Sequence, residues 1–349
     1  MRLALIAVLL VAAGPALGRT VTDSAGRKVE VPDRIERVFA AGPPASILLY
    51  MLAPEKMTGW PDPPRPDERR YIAERYRDLP ALGRITGRGG TANLESVLKV
   101  NPDLILDFGS VSDTYVSLAN SVQAQTKIPY ILIDGRFEAT PAALRLLGQV
   151  LDMPDRAERL ARYVEETFAA IDRALAAVPE NNRPRVYLAR GPDGLETGLK
   201  GSINTEIIER AGGRNVADAG GLRRGITRLS IEQVIVADPN TIITWDRNFF
   251  SGVFKDPLWQ NIKAVREGRV YLSPTAPFGW IDRPPSLNRV MGLKWLAQLF
   301  YPDRFPEDLR ATTREFYRLF YHVEPNDKEL DGLIAWSKGQ VPSAPAPRR

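Results

Sequence analysis

Cysteine is absent from all 349 residues and histidine occurs once, as His322. Without a thiol there is no disulfide, no thiolate metal site and no acylated cysteine to tether an exported chain. A single imidazole cannot supply the donor set that captures a bare divalent metal. Zinc or manganese capture is therefore disfavoured, direct protein ligation of a metal is not expected, and His322 reads as a structural residue. Also missing are a Gly-x-Ser-x-Gly elbow and a zinc motif. An exported hydrolase, built on Ser202 as nucleophile or on Asp246 with Asp282, is thus the weaker alternative. The glycines of 87–90 and Gly212-Gly213 match neither a P-loop nor a dinucleotide fingerprint and read as turns. No long Lys/Arg tract occurs and the net charge is only +5, so nucleic acid is not an expected partner.

What is present is a motif that occurs twice. Asn93-Leu94-Glu95-Ser96-Val97-Leu98-Lys99-Val100-Asn101-Pro102-Asp103 runs into the apolar Leu104 to Leu106. Ser230-Ile231-Glu232-Gln233-Val234-Ile235-Val236-Ala237-Asp238-Pro239-Asn240 runs into Thr241 to Ile243. The spacing far exceeds the roughly 20–50 residues of a solenoid repeat, so each copy belongs to one of two similar halves. Each copy predicts a short helix with Asn93 or Ser230 as N-cap and a Glu in the first turn. A proline then ends the helix, and a β-branched or leucine-rich strand of a covered parallel sheet follows.

A hydrophobic content of 44% fits two ordinary cores. Arg2, the apolar stretch Leu3 to Ala13 and the small-residue site Ala16-Leu17-Gly18 predict a cleavable leader over 1–18. A hairpin around Ala25-Gly26 and a strand at Arg37 to Ala40 open a first α/β lobe, 19–153, that continues through the Pro-rich 61–66 and a strand at Tyr130 to Ile133. From Asp155 to Val178 no glycine or proline interrupts an apolar row of helical spacing, Leu160, Val164, Phe168, Ile171 and Leu175. One stiff helix over 154–180 is expected to join the lobes and to disfavour large closure motions. The second lobe, 181–340, opens on a strand at Arg185 to Ala189 and closes with helices from Leu287 to Phe300 and from Leu309 to Tyr321. The Pro- and Ala-rich 341–349 predicts a disordered tail. The fold class is therefore α/β: two similar lobes, each with a mostly parallel sheet flanked by helices.

These segments carry a resemblance. The doubled Glu motif, Val21-Thr22-Asp23-Ser24-Ala25-Gly26-Arg27, Val31-Pro32, the connecting helix, Ala211-Gly212-Gly213 with Asn215-Val216-Ala217, and Val265-Arg266-Glu267-Gly268-Arg269-Val270-Tyr271 resemble the helical-backbone class of periplasmic substrate-binding proteins. That family delivers ferric siderophores, haem, corrinoids and some metal oxyanions to ABC importers. The leader and the missing cysteine imply an untethered periplasmic protein, not lipid-anchored, and the resemblance implies a monomer that is no enzyme and needs no cofactor. It also implies that Glu95 and Glu232 dock onto arginines of the permease dimer, which works with its ATPase. As plain helix N-terminal carboxylates the two residues would merely complement a dipole.

The ligand is expected between the lobes, at loops after the strand C-termini. Those loops hold Arg88, Arg136, Arg190, Arg223, Arg224, Arg228, Arg247 and Arg283, together with Tyr115, Trp245, Phe249, Phe250, Phe278 and Trp280. Arginine forks beside flat rings suit an anionic metal chelate with apolar parts. The cleft candidates are Arg88, Asp113, Tyr115, Arg190, Arg228, Trp245, Trp280 and Arg283. A ferric siderophore or other iron complex leads as ligand, with corrinoid, haem or a molybdate or tungstate oxyanion as alternatives. A sensor role in place of import is the third possibility.

Overall fold

The computed structural model describes residues 18–87, 90, 93–218 and 225–335. The leader apart from Gly18, Arg88, Arg223, Arg224 and the tail lie outside the described residues. Strands β1 (Gly18–Thr22) and β2 (Lys28–Pro32) form the expected antiparallel hairpin, turned at Gly26 with a φ of 77°. Strands β3 (Val38–Ala40), β4 (Leu104–Gly109) and β5 (Tyr130–Asp134) make a parallel sheet in that order. In the second half β6 (Arg185–Ala189), β8 (Arg214–Asn215), β10 (Thr241–Thr244) and β11 (Val270–Leu272) make a parallel sheet ordered β11-β10-β6-β8. A small antiparallel pair, β7 (Glu196–Gly198) with β9 (Ile226–Arg228), projects from it.

Both parallel sheets are covered on both faces, which is why their strands read as unbroken apolar runs. On the first, Phe39, Ile105, Tyr130 and Leu132 face one core while Leu104, Leu106, Ile131 and Ile133 face the other. On the second, Tyr187, Ala189 and Ile242 alternate in the same way with Val186, Leu188 and Ile243. The inner faces of the two sheets belong to one continuous core that also takes in the long connecting helix.

That helix runs Pro154–Leu175, with Leu160, Val164, Phe168, Ile171 and Leu175 as its buried row. At 22 residues it spans about 33 Å. It stops short of the expected Val178 because Pro179 disfavours helical geometry in the residue before it. Near its start Arg156 reaches the carbonyls of Met51 at 2.6 Å and Leu52 at 3.0 Å, oxygens that the end of the Pro43–Leu52 helix leaves without intrahelical partners. The helix expected to end at Tyr321 is α-helical over Leu309–Phe316 and widens into a π turn over Tyr317–Tyr321.

The same neighbourhood explains His322. Its Nε2–H donates to the Tyr50 carbonyl at 3.0 Å, and the Arg156 guanidinium lies against the ring, 3.3 Å from Nε2 and 3.5 Å from Nδ1. Burial, then Arg156, pushes its pKa down from 6.5 to about 4. The folded value lies below the unfolded one, so the stabilisation is complete above pH 6.5 and is lost as pH falls toward 4. The full shift corresponds to roughly 3 kcal/mol. His322→Gln is expected to flatten the fall in unfolding free energy across that window, measured by urea titration at stepped pH; an unchanged slope would assign the acid sensitivity elsewhere.

A second packing constraint sits at Gly292, in the Arg289–Phe300 helix, where a Cβ would meet the Trp280 carbonyl oxygen at 1.8 Å. Because the obstruction is backbone, Gly292→Ala is expected to cost about 3 kcal/mol, read from denaturant midpoints. A loss under about 1 kcal/mol would show that the two segments separate freely.

Candidate binding cleft

The carboxyl ends of the parallel strands converge on a cleft of about 1020 Å³ between the two sheets. Phe108, Gly109 and Ser110 close β4, while Arg190 follows β6, Trp245 follows β10 and Thr275 follows β11. This is where open parallel sheets hold ligands. Its walls include Ile47, Ile203, Ile226, Trp60 and Phe278, the last two with ring centroids 6.0 Å apart across the halves.

Polar groups at the base of the cleft are mostly committed to one another. Asp282 is fully buried, pairs with Arg190 at 2.7 Å and accepts from the Asn204 amide. Burial pushes its carboxyl up, against the opposing pull of Arg190 and Asn204. The Arg190 contact is close but off hydrogen-bond alignment, so Arg190 Nε and Asp282 Oδ2 make no hydrogen bond. Arg190 also donates to Glu196 at 2.6 Å. Asp107, at the inner end of β4, accepts from Thr86 and Tyr130, each at 3.1 Å, and burial pushes its carboxyl up as well. Arg84 pairs with Asp62, and Arg65 with Glu68 at 2.6 Å.

Arg283 differs: it is exposed, forms no ion pair among the described residues, and lies 4.7 Å over the Trp245 ring. Arg190 lies 5.8 Å from the same ring, so two guanidiniums flank one indole. The indole Nε1 is buried without a hydrogen-bond partner. An unpaired guanidinium beside an unused N–H donor, within apolar walls, is chemistry for an anion carried on a larger body.

Of the candidates from the sequence, the structure brings Tyr115, Arg190, Trp245 and Arg283 into this cleft. Asp113 stands exposed in the first turn of the Asp113–Thr126 helix, where its charge complements the helix dipole. Arg228 is spent in an exposed pair with Asp193. Trp280 is fully buried, donating to the Tyr317 hydroxyl at 3.2 Å and packing edge-on to Trp295. None of these three lines the cleft, and Arg88 lies outside the described residues. Trp60, Asp62 and Arg65 also line the cleft, after a segment that meets β3 only through the single bridge Val38 to Met57 and so carries no strand pattern in the sequence. The proline cluster at 61–66 was the signal that a stiff wall stood there.

The doubled motif folds as its residues dictate. The first copy is helical over Leu94–Val100, with the Asn93 side chain accepting from Ser96 N at 2.7 Å; the second over Ile231–Ala237, with Ser230 and Gln233 in a reciprocal capping box. Each ends on a left-handed residue before its proline, Asn101 at φ 49° and Asp238 at φ 35°. Glu95 and Glu232 are both exposed and neither lines the cleft. The Ser230 hydroxyl, then the backbone N–H of Glu232 itself, hold the Glu232 carboxyl below its usual range, so it is charged at neutral pH.

Two covered parallel sheets, one shared helix and a cleft at the strand ends define a two-lobed ligand-capture protein. Residues 67–277 match the periplasmic binding protein family, and the chain belongs to it, among the substrate-binding proteins of ABC importers. A solute-binding protein of an ABC transporter from Sulfurospirillum deleyianum superposes with a TM-score of 0.82 at 30% identity, covering 91% of this chain and 99% of that one. The molybdate-binding protein MolA of Haemophilus influenzae is 25% identical over 338 residues, 87% of this chain and 91% of its own. The vitamin B12-binding protein of Salmonella typhi is 30% identical over 154 residues, 43% of this chain and 54% of its own.

Proposed function

We propose that this protein captures an anionic metal complex in the interlobe cleft and presents it to the permease of its importer, docking through Glu95 on one half and Glu232 on the other. The observation that carries the ligand reading is Arg283 over Trp245, unpaired, in a cleft whose other described arginines are already neutralised by carboxylates. A cleft of about 1020 Å³ with aromatic and proline walls is sized for a chelate, of which a tetrahedral oxyanion would fill a small part. No cluster of three or more metal-ligating side chains occurs among the described residues. A metal would therefore arrive with its own ligands, and a ferric siderophore or related iron complex leads.

A molybdate or tungstate oxyanion is the second reading, favoured by the extent of the likeness to the molybdate-binding relative. The two part in a thermal-shift panel of ferric siderophores, haemin, cobalamin, molybdate and tungstate. A ligand at 100 times its Kd adds about 2.7 kcal/mol and raises Tm by several degrees. A shift with a ferric chelate alone supports the first reading, a shift with oxyanion alone the second, and no shift with any overturns both.

The carboxylates of the two motifs support docking by their equivalent placement on exposed helices of both halves. The leader expected over 1–18 and the absence of cysteine further support a freely diffusing periplasmic form.

A further inference from the structure

Resting on that docking reading, we infer that the permease also packs an apolar contact onto Val236 and Leu258 beside Glu232, and a smaller one onto Leu98 beside Glu95. Among the described residues the large hydrophobic side chains left exposed are these three, at 84%, 55% and 48%. A single exposed apolar residue needs no explanation, but one in each copy of a doubled motif, with a third leading into a turn packed on the second copy, does. Val236 lies four residues after Glu232 and Leu98 three after Glu95, so each shares a helix face with its carboxylate. Leu258 leads into the turn Trp259–Asn261, which packs on the Ile231–Ala237 helix. The surface is therefore a charged residue with an apolar neighbour on each half, the arrangement of a desolvated interface core rather than of a purely electrostatic rim.

The two halves are not equal. Four residues after Glu95 stands Lys99, where the second half has Val236. The second half thus offers the more apolar contact and the first the more charged one. Against a permease dimer presenting similar basic patches, the Glu232 side should hold by slow dissociation and the Glu95 side should carry more of the salt dependence.

The test is binding of the full-length mature protein to its importer in nanodiscs, by biolayer interferometry across a salt series, comparing Val236→Ser with Leu258→Ser, Leu98→Ser, and Glu95→Gln with Glu232→Gln. The Val236/Leu258 double variant is expected to weaken binding at least tenfold through the off-rate with an unchanged salt slope, and Leu98→Ser about threefold. The Glu variants are expected to weaken binding and flatten the salt slope. If the Glu variants lose binding while the serine variants keep it, the apolar contact is overturned and docking stands; if neither set loses it, the docking reading falls too. Sedimentation of the wild type at high concentration checks the rival occupant: dimerisation abolished by the serine substitutions, with importer binding intact, would assign the surface to a second copy of this chain.

Discussion

Arg289→Met is expected to lower the unfolding free energy by about 3 kcal/mol, the cost of leaving the half-buried Glu206 carboxylate and three backbone carbonyls without the guanidinium that serves them. Arg289 is fully buried, yet every arm of its guanidinium is used. It donates to Glu206 at 2.8 Å, to the Ile203 carbonyl at 2.7 Å, to the Ser286 carbonyl at 3.1 Å and to the Gly135 carbonyl at 2.9 Å. Gly135 follows β5, whereas Ile203, Glu206 and Ser286 belong to the second half. Glu206 returns the connection by accepting from Phe137 N at 2.7 Å, and the Phe137 ring lies 4.9 Å under the guanidinium. The residue therefore ties the loop after the first sheet to the second half beneath the cleft. Its removal should also blunt cooperativity, broadening the single transition in urea toward two, as followed by far-UV circular dichroism and intrinsic fluorescence. Removing both partners, Glu206→Gln with Arg289→Met, should cost less than the sum of the single losses. A loss below about 1 kcal/mol for Arg289→Met would show that the tie contributes little.

Reversing both proposed docking charges, Glu95→Lys with Glu232→Lys, is expected to cut ligand uptake in cells about a hundredfold, because like charges brought together at an interface cost several kcal/mol. Each single reversal should give an intermediate loss. Ligand affinity of the purified variant should match the wild type, since neither residue lines the cleft. The stability change should stay small, as each exposed first-turn carboxylate contributes roughly 0.3–1 kcal/mol through the helix dipole. Normal uptake by the double variant would leave the carboxylates as dipole partners only. It would also raise the sensor alternative.

Much of the fold was legible because its signals are local or periodic. Asn93 and Ser230 cap where a cap was expected, and β4, β5, β6 and β10 begin at their predicted first residues. The long row from Leu160 to Leu175 has one reading at helical spacing. The cleft was legible in its location and only partly in its members. Arg190, Trp245 and Arg283 lie in loops beyond strand ends, and the topological rule alone places such loops at the cleft. Trp280 and Arg228 sit in loops of the same kind, but the burial of one and the pairing of the other are set by distant partners, Tyr317 and Asp193, which no local pattern exposes. The charge tally misleads for the same reason: counting arginines predicts a strongly basic cleft, whereas Arg136 pairs with Asp134, Arg190 with Glu196 and Asp282, and Arg228 with Asp193. Trp60 reaches the cleft only because its loop packs against Tyr50 and Phe278, contacts 10 and 218 residues away.

The cleft is proposed to hold an anionic ligand at Arg283 and Trp245. Calorimetric titration of the best-shifting ligand into the wild type, Arg283→Ala and Trp245→Ala tests it most directly. Loss of a charge-assisted hydrogen bond is worth about 1.5–3 kcal/mol, so Arg283→Ala should weaken binding roughly ten- to a hundredfold with the thermal stability of the free protein unchanged. Equal affinity in all three proteins would place the ligand elsewhere and contradict the account.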